Sequence, residues 1–331
     1  VSVNASVHTG RQSVSFLEIG EEAAGQRIDN FLLSHLKGVP RSHIYRTLRK
    51  GEVRVNRGRI GPDYRLQKGD VVRLPPVRRR WTTVPREPHT NTLQRLQSAL
   101  LYEDDGLLIL NKPAGIAVHG GSGVSYGVIE ALRALRPNAS GLALVHRLDQ
   151  QTSGCLMVAK KRSLLRALHD LLRRGALEKR YLALVSGRLR GCESRVCAPL
   201  RKNVVRGGER VVSVSENGKQ AVSRFRLIAN YGFASLVEVI LVTGRTHQIR
   251  VHARHIGHPV AGDEKYGDPT FNRRIGKVGL GRLFLHAQAL SFIHPATGRE
   301  LYVSAPLDEA LERVLSRLEL NLTLSTCNTV C

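Results

Sequence analysis

His146, Arg147 and Asp149 fall within four positions, in the run His146-Arg147-Leu148-Asp149-Gln150-Gln151-Thr152-Ser153-Gly154, with aliphatic stretches on both sides: GLALV before it and CLMVA after it. A carboxylate in a half-buried loop keeps its charge only if a cation or several donors compensate it. Arg147, Thr152, Ser153 and the neighbouring amides are of the right type to do so. A carboxylate held in this way can act as nucleophile or base. Taken alone, the run reads better as a structural Asp closing a turn, and only the surrounding blocks change that. Other chemistries lack their partners. A protein-kinase catalytic loop puts Asp directly after Arg, whereas Leu148 intervenes here. The glycines of GGSGVSYG, residues 120–127, do not have GxGxxG spacing, and no GxxxxGK[ST] occurs, so a phosphate cradle is missing. HExxH and EF-hand spacings are absent too. A glycoside or nucleoside hydrolase would want a second catalytic carboxylate, and no equally supported partner for Asp149 emerges.

The elements that must hold this run read as a mixed pattern from Leu100 to about residue 320. Strand candidates are LLILNK, ALVHRL, CLMVAK, YLALVSG, SRFRLIA, SLVEVILV and FLHAQALSF; helix candidates are VIEALRALR, SLLRALHDLLRRG, THQIRVHARHIG and APLDEALERVLSRLEL. Several strands follow each other too closely for parallel crossovers, which predicts an α+β domain on a mixed, largely antiparallel β-sheet. Residues 201–219 read as an exposed basic hairpin. Residues 321–331 read as a tail outside this mixed domain.

Ahead of this lies a smaller unit, residues 1–75 with its core at 26–75. SFLEIG predicts a strand and QRIDNFLLSHL a helix, with Ile28, Phe31, Leu32 and Leu36 at helical spacing. Ser42 is placed to cap a second helix, HIYRTLRK, with Gly51 just past its end. Short strands around Val53/Val55 and Val71/Leu74 follow, joined by Gly-containing turns. Arg41, Arg46, Arg49, Lys50, Arg54, Arg57 and Arg59 crowd nineteen positions against one acid, Glu52, which predicts an RNA-contacting stripe in preference to a plain solvated face. Residues 75–99 hold four of the thirteen prolines and show no clear apolar period through their first half, so residues 76–99 read as a linker.

Charge agrees with this partner. Lys and Arg number 51 against 27 Asp and Glu, a formal net charge of +24 over 331 residues. The excess is +9 in residues 1–90 and +15 in the remainder, so it is not a basic tail. Counterion release drives such a surface toward nucleic acid. No apolar run approaches a transmembrane span of roughly 18 residues, and no membrane partner is expected. The first residues lack the apolar core of a secretory signal, and the five cysteines form neither a CxxC pair nor a zinc cluster. The expectation is a cytoplasmic protein with reduced thiols and no metal.

HRLDxxTSG does not stand alone. YEDDGLLILNKPAGIAVHGG lies upstream, and EKRYLAL, VTGRTHQIRVH, GDEKYGD and FLHAQALSFIHPATG follow in order to about residue 305. This series resembles the RluA family of pseudouridine synthases. QRIDNFL, RSHIYRTLRKGEVRVN and LQKGDVVRLP resemble the small S4 (αL-type) RNA-binding domain. The resemblance implies isomerisation of uridine to pseudouridine without cofactor or metal; no self-complementary apolar face is obvious in the sequence, and a monomer is expected. It makes Asp149 the catalytic Asp and Arg250 its bidentate partner. Tyr181 becomes the aromatic residue that stacks on uracil, and Arg147 the side chain that fills the space left by the extruded base. His146, Thr152, Arg245 and Lys112 are substrate-contacting or structural positions under the same resemblance, with His247 and Pro113 beside them. Thr152, Ser153 and Gly154 should shape the Asp149 loop. With the S4-like unit, the expected partner is 23S ribosomal RNA or an assembling large ribosomal subunit. A transfer-RNA substrate and a non-catalytic RNA-binding assembly factor are the alternatives.

Overall fold

The computed structural model describes residues 14–36, 39, 41–76, 90–120, 126–137, 139, 141–189, 191–204 and 210–327. Contacts divide the chain into two compact units, residues 1–86 and 87–331.

In the first unit, β1 (Ser15–Glu18) precedes helices α1 (Ile28–His35) and α2 (Arg41–Arg49), then β2 (Arg54–Val55), β3 (Gly58–Arg59) and β4 (Val71–Leu74). The strands form one antiparallel sheet in the order β1-β4-β2-β3. Ile28 and Leu32 of α1, Ile44 and Leu48 of α2, and Val53, Val55, Val72 and Leu74 close a single apolar core. Ser42 lies inside the first turn of α2 instead of capping it. The β2–β3 turn is made by Asn56 and Arg57, both at positive φ (48° and 67°), rather than by a glycine. Asn56 is held there by Asp70 and by the Val71 amide, which pin its side chain from two sides.

The second unit begins with α3 (Thr90–Gln97), β5 (Leu100–Glu103), β6 (Leu107–Lys112), α4 (Val128–Leu135), β7 (Ala143–Leu144), β8 (Ser153–Ala159) and α5 (Arg162–Arg174). It continues through β9 (Leu177–Ser186), β10 (Glu193–Cys197), β11 (Leu200–Val204), β12 (Arg210–Val214), β13 (Val222–Asn230) and β14 (Ala234–Leu241). The last elements are α6 (Gln248–His255), α7 (Pro269–Val278), β15 (Leu285–Ile293), β16 (Glu300–Ser304) and α8 (Glu309–Cys327). The main sheet runs β10-β13-β14-β9-β15-β8-β6-β5, with β16 on β15 and β7 on β8, and only the β15–β8 pair is parallel. The expected mixed, largely antiparallel α+β class is the observed one.

Alternation along the central strands explains the two layers. Leu108, Leu110, Leu156 and Val158 face the core that includes α4 and α6, while Leu107, Ile109, Cys155, Met157 and Ala159 face Leu164 and Leu168 of α5. Both faces of β8 are covered, so all seven of its residues are buried.

Three sequence readings change. α3 occupies part of the segment read as a linker, and its Leu96 is buried in the main core, because LQRLQ has helical apolar spacing that the prolines before it mask. α8 runs to Cys327, so the segment read as a tail begins within a helix whose Leu322 packs against the α7–α8 core. VHRL within ALVHRL is loop, not strand, since only residues 143–144 pair with β8. The unforeseen α7 starts at Pro269 with Asp268 accepting the Phe271 amide, a capped start that was visible in the sequence.

Candidate active site

Asp149 sits on the loop between β7 and β8, and that loop is pinned by backbone bonds. Thr152 N–H donates to the Asp149 carbonyl at 3.1 Å, closing a turn, and Gly115 N–H donates to the Gln150 carbonyl at 2.9 Å. His146 Nε2 accepts the Met157 amide at 3.1 Å, which ties the start of the loop to β8. Burial pushes the His146 imidazole down to about 4, as expected for a ring that must stay neutral to accept that bond. Gly154, at φ +106°, is the second residue of β8 after the loop, and a Cβ there would stand 2.2 Å from the Ala287 carbonyl oxygen of β15. The parallel pairing that anchors the loop therefore requires glycine.

Arg250, on α6, reaches this carboxylate. Its Nη1 donates to Asp149 Oδ2 at 3.1 Å. The bidentate partner, however, is Asp263: Nε to Oδ2 at 2.7 Å and Nη2 to Oδ1 at 2.8 Å. This corrects the expectation of a two-bonded Arg250–Asp149 pair. A guanidinium offers five donors in a fixed fork, and Asp263, fully buried, takes one side of it and leaves a single edge for Asp149. Burial raises the Asp263 carboxyl, but the hydrogen bonds and charge of Arg250, with the Tyr266 and Lys265 amides, hold it below the usual carboxylate range. Burial lowers the Arg250 guanidinium, and Asp263 and Asp149 raise it above its ordinary value.

Tyr181 projects from β9 into the same place, 7% exposed. Burial first, then the charge of Asp149, pushes its phenol above the ordinary tyrosine value, so it stays neutral at physiological pH. A cleft of about 640 Å³ opens here, lined by His146, Arg147, Asp149, Lys179, Tyr181, Arg245 and His247 among others. Arg147 is exposed at its wall. Arg245 donates through Nε to the Gln220 carbonyl at 3.1 Å and also lines the cleft. Thr152 is buried and lines a small recess shared with Asp149, Tyr181 and Arg250.

Lys112 is not a contact residue. It is 0% exposed, and its Nζ donates to the carbonyls of Pro113, Ile116 and Gln150 at 2.8, 2.9 and 3.2 Å, so three donors meet three acceptors with none left for RNA. Its role is to clamp the residue after Asp149. Arg46, Arg49 and Lys50 are exposed and Arg54 half-buried in the separate N-terminal unit; Arg41 begins α2 there. The basic hairpin at 201–219 forms as β11–β12, but Leu200 and Val212 are buried against Val251 and Tyr266, so one face of it is packed.

Sequence reasoning missed Asp263, Tyr266, Lys179 and Gln248. Gln248 fixes the 243–247 turn, accepting from Thr243 Oγ1 and the Arg245 amide and donating to the Val222 carbonyl and Ser223 Oγ. Lys179 was legible as the residue two before Tyr181 on one strand face. Nothing in the spacing of GDEKYGD says that its Asp clamps an Arg thirteen residues earlier.

A carboxylate with its charge partnered on one oxygen, an aromatic ring beside it and four further cations along the cleft (Arg147, Arg173, Lys179 and Arg245) suits chemistry on a polyanion. Comparison with known proteins agrees. Residues 106–255 match the family RNA pseudouridylate synthase, and residues 26–72 match the S4 domain. The chain is 55% identical over 317 residues to Ribosomal large subunit pseudouridine synthase C of Escherichia coli (strain K12), covering 94% of this chain and 98% of that protein. It is 56% identical over 308 residues to the protein of the same name from Pasteurella multocida (strain Pm70), covering 93% and 94%. Among solved structures, Human RNA Pseudouridylate Synthase Domain Containing 4 superposes with a TM-score of 0.57 at 26% identity, over 69% of this chain and 95% of the human one. The chain therefore belongs to the RluA-type RNA pseudouridylate synthases that carry an S4 domain ahead of the catalytic unit.

Proposed function

We propose that this enzyme isomerises uridines of 23S ribosomal RNA, free or in an assembling large subunit, with Asp149 as its catalytic residue. The observation that carries the chemistry is the meeting of Asp149, Arg250 and Tyr181 at one end of the cleft. The substrate class rests on the near-full-length likeness to ribosomal large subunit synthases and on the exposed basic residues of the S4 unit.

The reaction breaks the N1–C1′ bond of the target nucleotide, turns the uracil and forms a C5–C1′ bond; the proton on C5 leaves and N1 gains one, so atoms balance without a co-reactant. Asp149 serves either by attacking C1′ or by removing a ribose proton to give a glycal, and both routes need the carboxylate ionised. Arg250 keeps a positive charge at Oδ2. Oδ1 carries no hydrogen bond among the described residues and is open to the substrate. Tyr181, held neutral, stacks on the turned base. Arg147, exposed and beside Asp149, fills the gap left in the RNA when the base leaves its stack, at a cost of a few kcal/mol.

The test maps pseudouridine, by carbodiimide-dependent reverse-transcription stops, on unmodified 23S rRNA and bulk tRNA treated with the protein or Asp149→Asn. New stops in rRNA with the unaltered protein alone are expected. Stops only in tRNA would overturn the substrate, and stops that survive Asp149→Asn would remove Asp149 from the mechanism.

A further inference from the structure

We infer that Tyr266 fixes the tautomer of His247 and so makes His247 a positioning residue for Asp149, with the docked β11–β12 hairpin as the start of the relay. This rests on the assignment of Asp149 to the chemistry. Tyr266 Oη lies 2.9 Å from the Val212 amide nitrogen of β12 and 2.8 Å from His247 Nδ1, while His247 Nε2 stands 3.7 Å from Asp149 Oδ2.

The direction of each bond follows from proton counting. An amide N–H can only donate, so the Tyr266 oxygen accepts from Val212. The hydroxyl has one proton to give, and the residue is 3% exposed. Among the described residues its only acceptor within reach is His247 Nδ1, and withholding the proton would leave a buried donor unsatisfied. Nδ1 of the neutral imidazole is thereby the accepting nitrogen, and the ring proton sits on Nε2, the nitrogen that faces Asp149. At 3.7 Å this is a dipole aimed at the carboxylate, not a direct hydrogen bond. It complements Arg250, which bonds the same oxygen.

Two features indicate that this placement is built. His247 adopts φ 54°, ψ 19° as the N-cap of α6, a left-handed conformation that is costly for a residue with a side chain and that orients its ring into the cleft. The Tyr266 ring lies under the Arg250 guanidinium, 5.0 Å from Cζ to centroid, so one residue braces both groups that face Asp149. The other charged groups near His247 are Asp263 and Lys265 on the Tyr266 loop and Arg250 on α6. Burial lowers the imidazole against the opposing pull of Asp149, which agrees with a neutral ring.

The neutral tautomer is read directly by long-range proton–nitrogen NMR of the full chain labelled with nitrogen-15, with His247 assigned by its loss in His247→Gln. The expected pattern is the Nε2–H form in the unaltered protein and a mixture of both forms in Tyr266→Phe, which keeps the ring under Arg250. Single-turnover pseudouridine formation in RNA should fall about tenfold in Tyr266→Phe with RNA affinity within twofold of the unaltered protein. His247→Gln, whose amide can present an N–H near the Nε2 position, should retain more activity than His247→Asn. An Nδ1–H form in the unaltered protein overturns the proposal, as does an unchanged tautomer and turnover in Tyr266→Phe. If the unaltered protein forms no pseudouridine in any RNA, the reaction assignment fails, whereas the tautomer measurement is unaffected by that outcome.

Discussion

Asp263→Asn removes the anchor of Arg250 without changing the volume of the site. Asp263 accepts two guanidinium bonds, at 2.7 and 2.8 Å, and its Oδ1 also accepts the amides of Lys265 and Tyr266. Asn keeps Oδ1, so the turn survives, but it turns the Oδ2 position into an NH₂ facing Arg250 Nε, donor against donor. One charge-assisted bond, worth about 1.5–3 kcal/mol, is lost. The guanidinium, 12% exposed, also loses its buried counter-charge. A total of about 2–4 kcal/mol is expected, below the cost of stripping a buried pair of all its bonds. At about 2–4 °C per kcal/mol for a domain of this size, the melting temperature should fall by about 4–16 °C. Arg250 then no longer holds Asp149 Oδ2 from a fixed position, and a displacement of about 1 Å at a reacting group costs up to about 100-fold in rate. Single-turnover pseudouridine formation should drop about 10- to 100-fold, with RNA binding by filter retention unchanged, because Asp263 is buried. Turnover within threefold of the unaltered enzyme, at a melting temperature within about 1 °C, would refute the argument that Asp263 positions Arg250.

Acid should expose the same pair. The Asp263 carboxyl is held below its unfolded value of about 3.9, so its contribution is complete above that pH and is lost as pH falls through the folded value. The difference in melting temperature between the unaltered protein and Asp263→Asn should therefore shrink below about pH 4, and a constant gap from pH 6 to 3 would contradict it. Gly154→Ala should destabilise the catalytic unit by more than about 3 kcal/mol in urea unfolding, since the added Cβ meets a backbone oxygen in a positive-φ position; a loss under 1 kcal/mol would show that β8 and β15 can separate there. Tyr181, pushed above its ordinary value, should impose no rise in rate between pH 7 and about 10, and an activating limb in that window assigned to Tyr181 would make the phenolate the working form. Removing residues 1–75 should weaken RNA binding and flatten the slope of log affinity against log salt, because exposed Arg46, Arg49 and Lys50 go with them. An unchanged slope would take RNA contact away from the S4 unit.

What was legible in the sequence is what depends on local pattern or on ordered blocks. Unbroken apolar runs such as CLMVA required a strand covered on both sides, and helical spacing in SLLRALHDLLRRG required an amphipathic helix, because burial acts on each residue through its own element. Gly154 was expected to allow an approach closed to other side chains, and the Ala287 carbonyl occupies that space. The ordered motifs also pointed to Asp149, Tyr181 and Arg250, which come from a loop, a strand and a helix more than thirty residues apart and meet at one cleft.

Only the tertiary structure decided how these groups are paired. Lys112 sits in a motif with the same look as a substrate contact, yet the packing of β6 under the Asp149 loop buries it and spends all three donors on carbonyls. Arg250 has one fork and two candidate carboxylates, and the loop after α6 carries Asp263 close enough to take the Nε–Nη2 edge, which leaves Nη1 for Asp149. The Tyr266 oxygen beside His247 receives the Val212 amide because the hairpin, apolar at Leu200 and Val212, packs against Val251 of α6 and Tyr266. Residue type sets which hydrogen bonds and charges a side chain can offer. Which offer is taken depends on distances between segments far apart in the chain, and those arise only when the core has closed around them.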